Sequence, residues 1–152
     1  MKPIKSVLLL LVVCALAFNS CKKNNTPKVA PQSISLIFDG VTFSSAAPVA
    51  SYSKSQNALQ VTANLGGSTS IYLTIPSNVK VGTFDIATNE SAATFIFLDL
   101  LSPFFATSGN VVITSFTSTT VAGVFQFSGE NQYNLNATIT SGQFQANYTA
   151  AP

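Results

Sequence analysis

From residue 33 onward, apolar side chains recur at every second position through most of the chain, the period of a strand with one buried face. Ile34, Leu36 and Phe38 are followed by Val41 and Phe43 across Asp39-Gly40. An Asp-Gly pair between alternating runs predicts a tight hairpin, because both loop residues need positive φ. This places strands at 33–38 and 41–45. Residues 44–57 are rich in Ser and Ala and read as a loop or a ragged edge. Leu59, Val61, Ala63 and Leu65 alternate with polar neighbours, Gly66-Gly67 turns the chain, and Ile71, Leu73 and Ile75 return until Pro76, which lacks a ladder donor. Gly82 opens a further strand in which Phe84 and Ile86 face inward.

The run Thr94-Phe95-Ile96-Phe97-Leu98 suits a buried strand or a short helix, and its aromatic and β-branched content favours the strand. Leu100, Leu101, Phe104 and Phe105 surround Pro103 where the alternation breaks. They either cap the core or form an apolar recognition patch. A meander follows. Gly109 opens a strand at Val111 to Phe116, and Thr117 to Thr120 turns into a strand with Val121, Gly123, Phe125 and Phe127 on one face. Gly129-Glu130-Asn131 turns again, Leu135, Ala137 and Ile139 form a strand, and Ser141-Gly142 reads as a hairpin turn before Phe144, Ala146 and Tyr148. Glycine recurs two residues before an inward phenylalanine at Gly82, Gly123 and Gly142, at spacings too unequal for a repeat. With no helical segment between strands, the expected fold is all-β, an antiparallel sandwich of about 8–10 short strands, with a lipocalin-like barrel as the alternative.

The N-terminus follows a different logic. Lys2 and Lys5 precede an apolar run from Val7 to Phe18, about 12 residues against the ~20 of a membrane-spanning helix. This is the pattern of a secretory signal. Ala15-Leu16-Ala17 fits ordinary cleavage, whereas Phe18-Asn19-Ser20-Cys21 resembles the lipobox of bacterial lipoproteins, which implies a lipid on Cys21. Residues 1–20 are then signal, the polar stretch 21–32 with Pro27 and Pro31 a flexible tether, and 33–152 a single β domain. The start Ser20-Cys21-Lys22-Lys23-Asn24 is similar to that of Bacteroidota lipoproteins. The segments 109–114, 121–127 and 139–144 likewise resemble the C-terminal half of small uncharacterised lipoproteins of that phylum. That resemblance implies an outer-membrane envelope location, on either face, and transfers no functional residue.

Composition narrows the chemistry. Of the seven lysines and two cysteines, residues 1–20 hold two lysines and Cys14, so the remainder carries five lysines against five acids and only Cys21 as a thiol. A neutral chain has no basic stripe for phosphates, which excludes nucleic acid as a partner. His, Trp and Arg are absent, and with them the commonest general base and metal ligand, the strongest stacking ring and the bidentate anion clamp. No metal, cofactor or catalytic set is therefore expected. Asp39 and Glu130 are explained by turns and Asp85 by an outward strand position. Glu90 and Asp99 are the remaining acids, and a glycan hydrolase with an acid-only site would have to use them. The reading favoured by this inventory is a lipid-anchored, non-enzymatic binding or scaffolding domain, with a glycan, a small apolar ligand or another envelope protein as partner. Its nominated patch is Leu100, Leu101, Phe104 and Phe105.

Overall fold

A computed structural model describes residues 31–53, 57–76, 79–88, 91–97 and 102–149. The alternation predicted from sequence becomes ten strands: β1 (Ser33–Phe38), β2 (Val41–Ser45), β3 (Val49–Ser53), β4 (Ala58–Gly66), β5 (Thr69–Pro76), β6 (Gly82–Asp85), β7 (Ala92–Ile96), β8 (Phe104–Phe116), β9 (Thr120–Glu130) and β10 (Asn136–Thr149). The β1–β2 hairpin turns at Asp39 and Gly40, whose φ values of 50° and 74° are those a two-residue loop requires. The ambiguous run at 94–98 is a strand through Ile96.

The sheet closes on itself. β10, β3, β4, β5, β7, β8 and β9 form a seven-stranded barrel, with the β1–β2 hairpin attached along β10 and β6 along β8. The architecture is all-β as expected, but it follows the barrel alternative rather than two separate layers. Closure occurs at two corners. The C-terminal tip of β10 pairs with β3 in parallel through Tyr148 and Thr149, and the start of β8 pairs with β7 through Phe104 and Phe105. β3 lies inside the stretch expected to be a loop; with only Ala50 buried among its small and polar residues, it carries little apolar alternation. The β10–β3 pair is also a parallel contact in an otherwise antiparallel sheet.

Two further expectations are corrected in the C-terminal meander. Ser141-Gly142 is not a hairpin turn: β10 runs unbroken from 136 to 149, and Ser141, at φ 52°, forms a bulge in which residues 140 and 141 oppose Gln126 alone. A glycine flanked by alternating apolar residues marks a bulge as readily as a turn, and only pairing partners separate the two. Similarly, Gly109 lies within β8 rather than at its start. The turn after β9 comprises residues 131–135, where the buried Asn131 accepts the N–H groups of Tyr133 (2.9 Å) and Leu135 (3.0 Å) on its Oδ1. Leu135, expected in the strand with Ala137 and Ile139, lies in the turn before β10 and is 46 % exposed.

Packing explains the glycines. The Phe144 ring lies where a Cβ on its cross-strand partner Gly123 would sit, and the Phe125 ring likewise covers its partner Gly142. Each ring covers the gap beside a glycine, an arrangement that supports sharp strand bending at a barrel corner. Gly109 has φ 119°, and a Cβ there would come within 2.2 Å of the Gln126 carbonyl oxygen. The interior is filled by Leu36, Leu59, Ile71, Leu73, Ile75, Phe95, Phe104, Ile113, Phe127 and Ile139, all 2 % exposed or less. Phe38 and Phe43 from the attached hairpin pack on Phe95 and Phe97, with ring centroids 5.1–6.4 Å apart. Aromatic pairs of this geometry add roughly 0.5–1.5 kcal/mol each beyond the area they bury.

At the corner where β10 meets β3, the Tyr148 ring stacks on Phe116 at 5.5 Å, and its hydroxyl donates to the Thr117 carbonyl at 2.9 Å. Burial pushes this phenol above its ordinary value of 10.0.

This packing can be tested at two points. Gly109→Ala should lower stability by about 2–5 kcal/mol in denaturant unfolding, from a strained φ plus overpacking, while Gln126→Ala should stay within about 0.5 kcal/mol. Because the folded state holds the Tyr148 proton more tightly than the unfolded state, the stability this group contributes is present below about pH 10 and lost as pH rises through the raised value. The melting temperature of wild type should therefore fall more steeply as pH rises above about 10 than that of Tyr148→Phe; parallel curves would show that the group is uncoupled from folding.

Candidate functional site

The nominated patch divides. Phe104 is fully buried at 0 % exposure in the aromatic cluster, with its ring 6.3 Å from Phe38, whereas Phe105 is 57 % exposed on the outside of the same strand. Strand alternation sends neighbours to opposite faces, so the two residues cannot share one patch. Leu100 and Leu101 lie outside the described residues, as do Cys21, Glu90 and Asp99. Phe104 is therefore part of the core, and Phe105 is an exposed ring. The remaining acids each have a local setting. Asp39 sits in the β1–β2 turn and Glu130 at the end of β9. Asp85 Oδ1 accepts the Ala87 N–H at 2.7 Å and the Thr88 N–H at 3.3 Å.

A better-formed feature lies on the outer face of the meander. A solvent-open trough of about 640 Å³ is lined by Asn110 and Val112 of β8, Val124, Phe125 and Gln126 of β9, and Ser141, Gly142 and Gln143 of β10. The volume falls in the ~300–1,000 Å³ range of small-ligand sites, although the trough is far more open than an enclosed pocket. Cross-strand register explains its composition. Asn110 faces Gln126 across β8 and β9, Val112 faces Val124, and Val124 faces Gln143 on the other side. Directly opposed residues lie about 4.5–5.5 Å apart, so three carboxamides surround two adjacent valines. The bulge places Ser141 beside Gln126 at the trough, where extra local twist is expected of a bulged strand.

The lining carries no charged side chain. Gln143 Nε2 donates to Ser35 Oγ at 3.1 Å, which fixes that side chain and leaves its carbonyl oxygen to accept a bond from outside. Among the described residues, the Asn110 and Gln126 carboxamides have no hydrogen-bond partner, so each offers two donors and an acceptor to solvent or ligand. The alternation of Phe144, Ala146 and Tyr148 puts Gln143 on the outward face of its strand, but alternation alone does not assemble the site. The available signal was that polar amides occupy outward positions on three successive strands; the bulge that aligns them was read as a turn.

The profile of a domain of unknown function (DUF6252) matches residues 31–146, which takes in every strand from β1 through most of β10 and thus the whole trough. The chain belongs to the DUF6252 family. No curated protein matches the chain. No solved structure matches it either. Membership of the DUF6252 family accordingly brings no assigned chemistry with it.

The divided patch makes a direct test. Phe104→Ser should cost about 3–5 kcal/mol or more in unfolding experiments, as loss of a buried phenylalanine does, while Phe105→Ser should change stability by no more than about 0.5 kcal/mol. Comparable effects at the two positions would contradict the opposed facing.

Proposed function

We propose that this chain is a non-enzymatic binding domain of a Bacteroidota-type cell envelope, attached to the outer membrane through lipid on Cys21, and that it takes its ligand in the β8–β9–β10 trough. The observation that carries the binding role is the pair of unbonded carboxamides, Asn110 and Gln126, opposed across two strands above an apolar floor. Polar side chains on a rigid sheet are pre-positioned, so little conformational entropy is lost when they bind. The basic start, the short apolar run and the Ser20-Cys21 junction support export and lipidation. The stretch 21–32 then supplies a polar leash ahead of β1, which begins at Ser33. Two or more acyl chains on one cysteine would give stable anchoring, which a single chain does not.

Two measurements test the two halves of this reading. Cys21→Ser should move the protein from the membrane fraction to the soluble periplasm and remove acyl mass from the purified chain; a variant that still pellets like wild type would rule out the anchor. A benzophenone amino acid at Gln126 in the full chain, irradiated in its native cells, should yield a covalent adduct that the same group at the exposed turn residue Gln132 does not. Equal adduct formation at both positions, or none at Gln126, would remove the trough as a binding surface.

A further inference from the structure

We infer that the ligand of the trough is a neutral glycan chain. The inference rests on the trough being the binding surface proposed above and adds the chemical class of its occupant.

The lining sets the class by what each alternative would leave unmatched. An anionic ligand would meet no cation: the lining is uncharged, and Asp85 lies on β6 directly across from Asn110. A purely apolar ligand would cover the Asn110 and Gln126 amides without replacing their hydrogen bonds to water, which is unfavourable for each group. A protein partner draws its affinity from aromatic or arginine anchors at the centre of the interface, and the exposed residues at the centre of the trough are Val124 and Gln126. Sugar hydroxyls, by contrast, donate and accept at once, and so does every carboxamide here. Asn110, Gln126 and Ser141 supply this bonding along one row, and the Gln143 oxygen adds an acceptor beside the valines. Val112 and Val124, adjacent across β8 and β9, provide the apolar strip that the C–H face of a sugar ring would cover. With adjacent strands about 4.8 Å apart, the row crosses about 10 Å of sheet. It is open to solvent, which suits internal residues of a chain over a single enclosed monosaccharide.

The test uses the detergent-solubilised, lipid-bearing full chain in native gels containing neutral polysaccharides (xylan, mannan, a β-glucan and dextran) or the polyanion polygalacturonate. At least one neutral polysaccharide should retard the protein. The double variant Asn110→Ala, Gln126→Ala should weaken that retardation at least about tenfold, the loss expected for two neutral hydrogen bonds, at an unchanged melting temperature. Val124→Asp, which puts a charge on the apolar floor, should abolish it. Retardation by polygalacturonate alone, retardation undiminished in the folded variants, or no retardation by any neutral polysaccharide overturns the inference. If retardation fails while the benzophenone at Gln126 still captures an envelope component, the trough remains a binding surface and only the glycan is excluded. If both fail, both readings fall.

Discussion

Closure of the barrel depends on two strands that each serve more neighbours than one edge ordinarily holds. β10 bonds β9 along one edge, and on the other it bonds first β1 and then, at its tip, β3. β8 divides its second edge in the same way, between β7 at its start and β6 further along. A strand that changes partner must bend and twist between the two, and a regular ladder of bulky residues resists that. The bulge at Ser141, the register shifts in β8, and glycines at 109, 123 and 142 lie on these strands and on β9 between them. Phe125 and Phe144 fill the space that the glycines leave, so bending is achieved without opening voids in the core.

The interior follows from this closure. Seven strands enclose a space that side chains fill, as in other small barrels, and here Leu, Ile and Phe residues occupy it at 2 % exposure or less. The attached β1–β2 hairpin adds Phe38 and Phe43 to the aromatic cluster of β7 and β8. The trough lies on the outer surface, and the bulge at Ser141, within the stretch of β10 that pairs with β1, forms part of its lining. One local irregularity thus links fold and proposed site.

Among the described residues, hydroxyls and carboxamides carry most of the side-chain hydrogen bonding. Asp85 organises its own turn through two backbone N–H groups, and Asn131 does the same for the β9–β10 connection with a neutral side chain. Neutral side chains bond across neighbouring strands, as in the Gln143–Ser35 and Ser128–Thr138 contacts. Such bonds depend on distance and direction far more than on ionic strength.

Period-two alternation by itself determined the all-β class, most strand positions and the inward faces of Ile34, Leu36, Phe84, Phe125 and Phe127, because side-chain direction in a strand is a local property of the backbone. The Asp39-Gly40 turn was legible for the same reason: its φ values are a requirement of two adjacent residues. Pairing is not local. That β3 exists, that β10 is one bulged strand, and that the sheet closes rather than stacking in two layers all depend on partners distant in sequence, and Val49–Ser53 has too few apolar residues to announce itself. The site shares that dependence. Asn110 and Gln126 are ordinary polar positions in the sequence and Ser141 reads there as part of a turn, and only the register of three paired strands brings their hydrogen-bonding groups into one row.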